Sequence, residues 1–134
     1  MVAELEVTVR QVHATPTSEG HIREHRVLVD RPAAKGGHDR GPMGGELLLV
    51  ALGGCFMSNL IAAAAARSIP AEGLEVRVQG TLASAPPRVE AIDLEVRAES
   101  VAPDVLDKLV AIAERGCIVH NTLGPAVKLT VRRA

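Results

Sequence analysis

Two thiols and an imidazole are the groups in this chain of 134 residues with the clearest reach for chemistry: Cys55, Cys117 and His120. A thiolate attacks electrophiles, binds soft metals and forms disulfides, whereas a thiol buried in hydrocarbon keeps its proton. Cys55 lies within an apolar run, and one reading makes it a small core side chain, because free Cys is among the most buried residue types. Cys117 follows Gly116 and opens the stretch to Leu123, a short helix closed by Gly124 and Pro125. Unpaired backbone N–H groups at a helix start acidify a thiol, so Cys117 is expected to sit in the more activating setting. His120, three residues on, could face the same side.

Taken alone, the two cysteines leave inert, redox and metal-binding readings open. A zinc site would combine Cys55, Cys117 and His120 with one of His13, His21, His25 or His38, but the closely spaced Cys pair that usually anchors such a site is missing. His21 and His25 fall on one face of an expected strand, well separated, and read as exposed polar residues. Neither a metal nor a cofactor is expected.

The elements that must position these groups follow from pattern. Leu5, Val7 and Val9 alternate with polar residues as in a half-buried strand, and His21 to Asp30 reads as a second strand after a turn over Thr15 to Gly20. Arg31 to Gly45 carries five glycines and two prolines, so it is the longest irregular segment. Glu46 to Ser68 reads as a long helix stopped at Pro70. Strands around Leu74–Val78 and Ile92–Val96 flank a stiff connector containing Pro86 and Pro87. A second helix is expected from Pro103 to Gly116, with one apolar stripe, and Val127, Leu129 and Val131 mark a last strand.

The long helix is apolar on all sides and must be covered on all sides. It is long enough to cross a membrane. However, Gly53, Gly54, Ser58 and Asn59 interrupt it, and no Trp or Tyr belt accompanies it. Burial between this subunit's sheet and a partner subunit is the reading preferred here, with Gly53 and Gly54 allowing close helix approach. That predicts a homodimer and no membrane partner.

Composition narrows the classes further. A net charge of −1 lacks the basic excess of a nucleic-acid binder. One Phe and no Trp or Tyr leave no stacking platform for single strands or sugars. The N-terminal stretch lacks the pattern of an export signal, so the two thiols are expected in a reducing cytoplasm.

The stretch from Lys35 to Cys55, with its Gly/Pro loop, Glu46-Leu47-Leu48-Leu49 and Ala51-Leu52-Gly53-Gly54-Cys55, closely resembles the first cysteine motif of the OsmC/Ohr family. Glu114-Arg115-Gly116-Cys117, with Val119 beyond it, resembles the second. The resemblance covers nearly the whole chain. It implies a single domain over residues 1–134 with an α+β, OsmC-like fold, in which antiparallel sheets wrap two central helices in an intertwined homodimer. It further implies a peroxidase in which Cys55 attacks an organic hydroperoxide and Cys117 resolves the product as a disulfide. A dithiol reductant, small or protein-borne, then restores the pair. The Leu, Val, Ile and Ala around Cys55 favour an alkyl or fatty-acyl hydroperoxide over hydrogen peroxide. The alternative is a non-enzymatic relative that binds an apolar ligand at the dimer groove.

The chain departs from the family pattern where the thiolate is held. Family peroxidases use an Arg to hold the thiolate and a Glu to hold that Arg. The Glu position is filled by Gly45, one place before Glu46. Glu46 starts on the opposite helix face from Cys55, about 13 Å along the axis, and reads equally as a first-turn carboxylate favoured by the helix dipole. The Arg position falls on Ala14, leaving Arg23, with Arg26 and Arg40, as candidates by proximity in sequence. These departures suit the broader OsmC-like branch.

Overall fold

The computed structural model describes residues 3–134. Met1 and Val2, with which the stretch read for an export signal begins, lie outside the described residues. By its internal contacts the chain divides into two compact units, one ending at Leu47 and the other spanning Leu48–Ala134.

The first unit is a three-stranded antiparallel sheet of β1 (Thr8–Gln11), β2 (Ser18–Ile22) and β3 (His25–Val29), in that order. The expected second strand is therefore two strands. Arg23 and Glu24 turn the chain, with Arg23 at φ 52°, and pair Ile22 with His25 and Ser18 with Val29. No Gly, Pro or Asn marks this turn, so nothing local announced it. The first turn falls earlier than expected and leaves Ser18, Glu19 and Gly20 in β2. Leu5 and Val7 precede β1 and stand exposed.

Beyond β3, Asp30 organises the Gly/Pro segment. Its buried carboxylate accepts from the Thr17 hydroxyl at 2.8 Å and from the backbone N–H groups of Arg31, His38 and Arg40 at 2.7–3.4 Å. Its own N–H donates to the Pro42 carbonyl at 3.0 Å. Burial pushes the Asp30 pKa up, but these donors outweigh it and lower it from 3.8 to about 2. One carboxylate thus supplies the partners that a loop without regular structure lacks. A single 3-10 turn, Ala33–Lys35, interrupts the loop.

Helix α1 (Gly44–Ala66) starts two residues before the expected Glu46 and crosses into the second unit. That unit adds β4 (Glu75–Ser84), β5 (Pro87–Arg97), α2 (Pro103–Gly116), α3 (Ile118–Leu123) and β6 (Lys128–Arg133). The α+β reading holds, with one correction: the second sheet, ordered β4-β5-β6, is mixed. β4 and β5 are antiparallel, but β6 joins β5 in parallel, pairing Leu94 with Val131. The chain leaves β5 through α2 and α3 before returning, and a long helical crossover of this kind brings a strand back in the same direction.

The core of this unit lies between sheet and helices. Ile92, Leu94 and Val96 on one face of β5 meet Leu52, Phe56 and Leu60 of α1 and Leu106, Leu109 and Ala113 of α2. Gly53 lets α1 lie close to β4: a Cβ there would stand 2.9 Å from Val78 Cγ2. The close approach expected of Gly53 is therefore made to its own sheet, while a Cβ on Gly54 would meet open space. On the outer face of the sheet, Arg132 bridges Asp93 and Glu95, and Thr130 donates to Asp93 at 2.7 Å.

Candidate active site

Both thiols belong to the second unit, and the fold brings them together. Cys55 sits one turn after Ala51 and Leu52 on α1, half-buried at the edge of the core. Cys117 is fully buried in the joint between α2 and α3. Gly116 closes α2, and Cys117 takes extended angles (φ −80°, ψ 112°) that make it the N-cap of α3. Its sulfur accepts from the His120 N–H at 3.4 Å, as an N-cap side chain does. Both cysteines are free thiols.

Their environments are unequal. Burial works against the Cys55 thiolate, but the N–H groups of Val119 and Ile118 and the thiol of Cys117 donate to its sulfur and bring its pKa below the ordinary thiol value. Burial pushes the Cys117 thiol up. The His120 N–H offsets part of this, and its role as donor to Cys55 adds to it, so Cys117 holds its proton more tightly than a free thiol. The sequence expectation placed the acidifying N–H groups on Cys117. The start of α3 serves both sulfurs: the His120 N–H caps Cys117, the Ile118 N–H acts on Cys55, and the Val119 N–H favours both thiolates. Within this unit no cation stands among the groups that set the Cys55 thiol. Backbone N–H groups and a neighbouring thiol stabilise the anion.

The other candidate residues have different partners. The ring of His120 turns to Glu114, with Nε2 3.4 Å from Oε1. Among the described residues no three His, Cys, Asp or Glu side chains gather closely enough to hold a metal ion. Arg23, Arg26, Arg40 and Glu46 all lie in the first unit. Glu46 accepts the Met43 N–H at 2.9 Å and so caps the start of α1, which is the helix-start reading of that residue. Arg23 is exposed in the β2–β3 turn, and Arg26 approaches Glu19 at 3.9 Å.

Sequence reasoning passed over Asn59 as a site residue. One helical turn after Cys55, its amide Nδ2 donates to the Cys55 carbonyl at 2.9 Å and lies 4.0 Å from the Cys55 sulfur. The i, i+4 relation to a candidate thiol was the available signal.

This geometry, two adjoining thiols of unequal acidity on a long helix and a helix–helix joint, is accompanied by a family match. The model of the OsmC-like protein family covers residues 37–132. The chain belongs to the OsmC-like family. Its fold is shared with an OsmC-like protein of Mycoplasma pneumoniae, at a TM-score of 0.86 and 19% identity over 100% of this chain and 98% of that one. An organic hydroperoxide resistance protein OsmC of Legionella pneumophila is similar at a TM-score of 0.76 and 14% identity, over 100% and 98% of the two chains. The organic hydroperoxide resistance protein OhrB of Bacillus subtilis is similar at 0.71 and 17%, over 98% of each. No curated protein matches this OsmC-like chain in sequence.

Proposed function

We propose that this OsmC-like protein is a thiol peroxidase that reduces organic hydroperoxides in defence against oxidative stress, with Cys55 as attacking thiol and Cys117 as resolving thiol. The observation that carries the reading is that Cys55 on α1 adjoins Cys117 in the α2–α3 joint, where the start of α3 and the second thiol lower the Cys55 pKa. A thiolate is the reactive form, and here the group with a depressed pKa adjoins one that retains its proton. Resistance to organic hydroperoxide, the role named for two of the similar structures, supports the same chemistry.

In the first step the Cys55 thiolate attacks the terminal peroxide oxygen. An S–O bond forms, the O–O bond breaks, and the alkoxide leaves with the electron pair and takes up a proton as alcohol. In the second, Cys117 attacks the sulfenic sulfur. The S–S bond forms, the S–O bond breaks, and the departing hydroxide leaves as water with the Cys117 proton. A dithiol reductant, itself oxidised to a disulfide, returns both thiols, a cycle suited to a reducing cytoplasm.

We read the working form as a homodimer. The face of α1 turned away from the core carries Val50 at 64% and Ile61 at 53% exposure, apolar surface that a second copy of this chain would cover. The test is consumption of cumene hydroperoxide with excess dithiol by purified protein. Cys55→Ser is expected to abolish turnover, and Cys117→Ser to permit one attack without cycling. A parent protein that consumes no hydroperoxide overturns the reading.

A further inference from the structure

One amide hydrogen of Asn59 is only loosely engaged: its acceptor is the Cys55 sulfur, a long 4.0 Å from Nδ2. An amide carries two N–H donors, and donation to the Cys55 carbonyl both occupies one and fixes which end of the side chain is nitrogen. The amide oxygen faces Gly116, where an added Cβ would stand 2.8 Å from Oδ1, so the side chain is wedged between α1 and the joint that carries Cys117. The nitrogen remains 4.0 Å from the Cys55 sulfur. That separation has room for one bonded atom: a hydrogen bond of about 2.9 Å meeting a sulfur–oxygen bond at an angle spans it.

We propose that Asn59 is a catalytic residue whose second amide hydrogen holds the oxygen that Cys55 takes from the peroxide. The inference rests on the peroxidase reading and deepens it. In the attack, the donor meets the peroxide oxygen as it bonds to sulfur. In the resolving step, the same oxygen departs as hydroxide while Cys117 forms the disulfide, and a fixed donor stabilises the charge that develops on it before the Cys117 proton completes the water. The amide is neutral, so it serves the oxygen without adding a charge beside the thiolate. Its position on the helix that carries Cys55 holds it in register with the sulfur without reorganisation.

The experiment compares parent, Asn59→Ala and Asn59→Leu under two oxidants, with the Cys55–Cys117 disulfide quantified by mass spectrometry in a single turnover. Cumene hydroperoxide places oxygen on the sulfur. Diamide forms the disulfide through a sulfur–nitrogen adduct, is reduced to its hydrazine, and involves no such oxygen. Both variants are expected to slow roughly tenfold or more with the hydroperoxide and to keep the parent rate with diamide. Equal slowing with both oxidants would make Asn59 a packing residue and overturn the assignment, as would variants that match the parent with hydroperoxide. A parent oxidised by diamide but inert to hydroperoxide removes the peroxidase reading, and this assignment falls with it.

Discussion

Cys117 adjoins Cys55, and the interaction of the two thiols favours the Cys55 thiolate while opposing loss of the Cys117 proton, beside the larger effects of burial and backbone N–H groups. Donation stabilises charge on the acceptor and discourages loss of the donor's own proton. Alkylation of Cys55 by iodoacetamide is therefore expected to rise with pH through a midpoint below that of an unperturbed thiol, with Cys117 reacting at higher pH. Cys117→Ala removes one donor and should move the Cys55 midpoint upward. Peptide-resolved mass spectrometry across pH 5–10 (about the range over which protein thiols ordinarily titrate) reads both, and a Cys117 midpoint below that of Cys55 contradicts the assignment of roles.

Asp30, just beyond β3, ties the Gly/Pro loop of the first unit to Thr17, just before β2. Its folded pKa of about 2 lies below the ordinary 3.8, so the folded state binds its proton less readily than the unfolded one. The stability it contributes is fully present above the unfolded value and disappears as pH falls through the folded one. Asp30→Asn should make residues 31–43 sensitive to protease at pH 7. Its difference from parent in urea midpoint should shrink between pH 4 and pH 2, and a difference constant over that window would show that the carboxylate charge is not what holds the loop.

Gly53 touches β4 too closely for a branched side chain, with Val78 Cγ2 at 2.9 Å from the position of its Cβ. Gly53→Val is expected to destabilise the protein by about 1–3 kcal/mol through overpacking, read as a lowered urea midpoint with an unchanged slope. Truncation of Phe56, fully buried in the same core, should cost more, about 3–5 kcal/mol for Phe56→Ala. A neutral Gly53→Val would show that α1 and β4 are not in close contact in solution.

If α1 is covered by a second copy of the chain, charge on its outer face must oppose association. Val50→Glu and Ile61→Glu, both at exposed positions, are expected to shift the mass measured by light scattering from dimer to monomer while leaving helix content unchanged. A parent protein that is monomeric at micromolar concentration contradicts the homodimer.

Much of this protein was legible along the chain because the relevant signals are local. Pro103 and Gly116 bound α2 where Pro at a first turn and Gly at a last turn predict. The alternation of Ile92, Leu94 and Val96 marked the buried face of β5, and the two cysteine motifs pointed to the family. The β2–β3 turn was illegible because Arg23 adopts a left-handed angle without any turn-forming residue nearby. The parallel entry of β6 was illegible too, because strand direction follows from the path of the crossover.

The sequence by itself determined which residues have reactive groups, that α1 is apolar on every side, and that a thiol stands at the start of α3. The tertiary structure alone decided which sulfur those helix-start N–H groups serve. The His120 N–H stays with Cys117, whereas those of Ile118 and Val119 act on Cys55, more than 60 residues earlier in the chain, because α1 and the α2–α3 joint pack against the same sheet. A hydrogen bond depends on where two groups stand in space, and no pattern along a chain carries that distance.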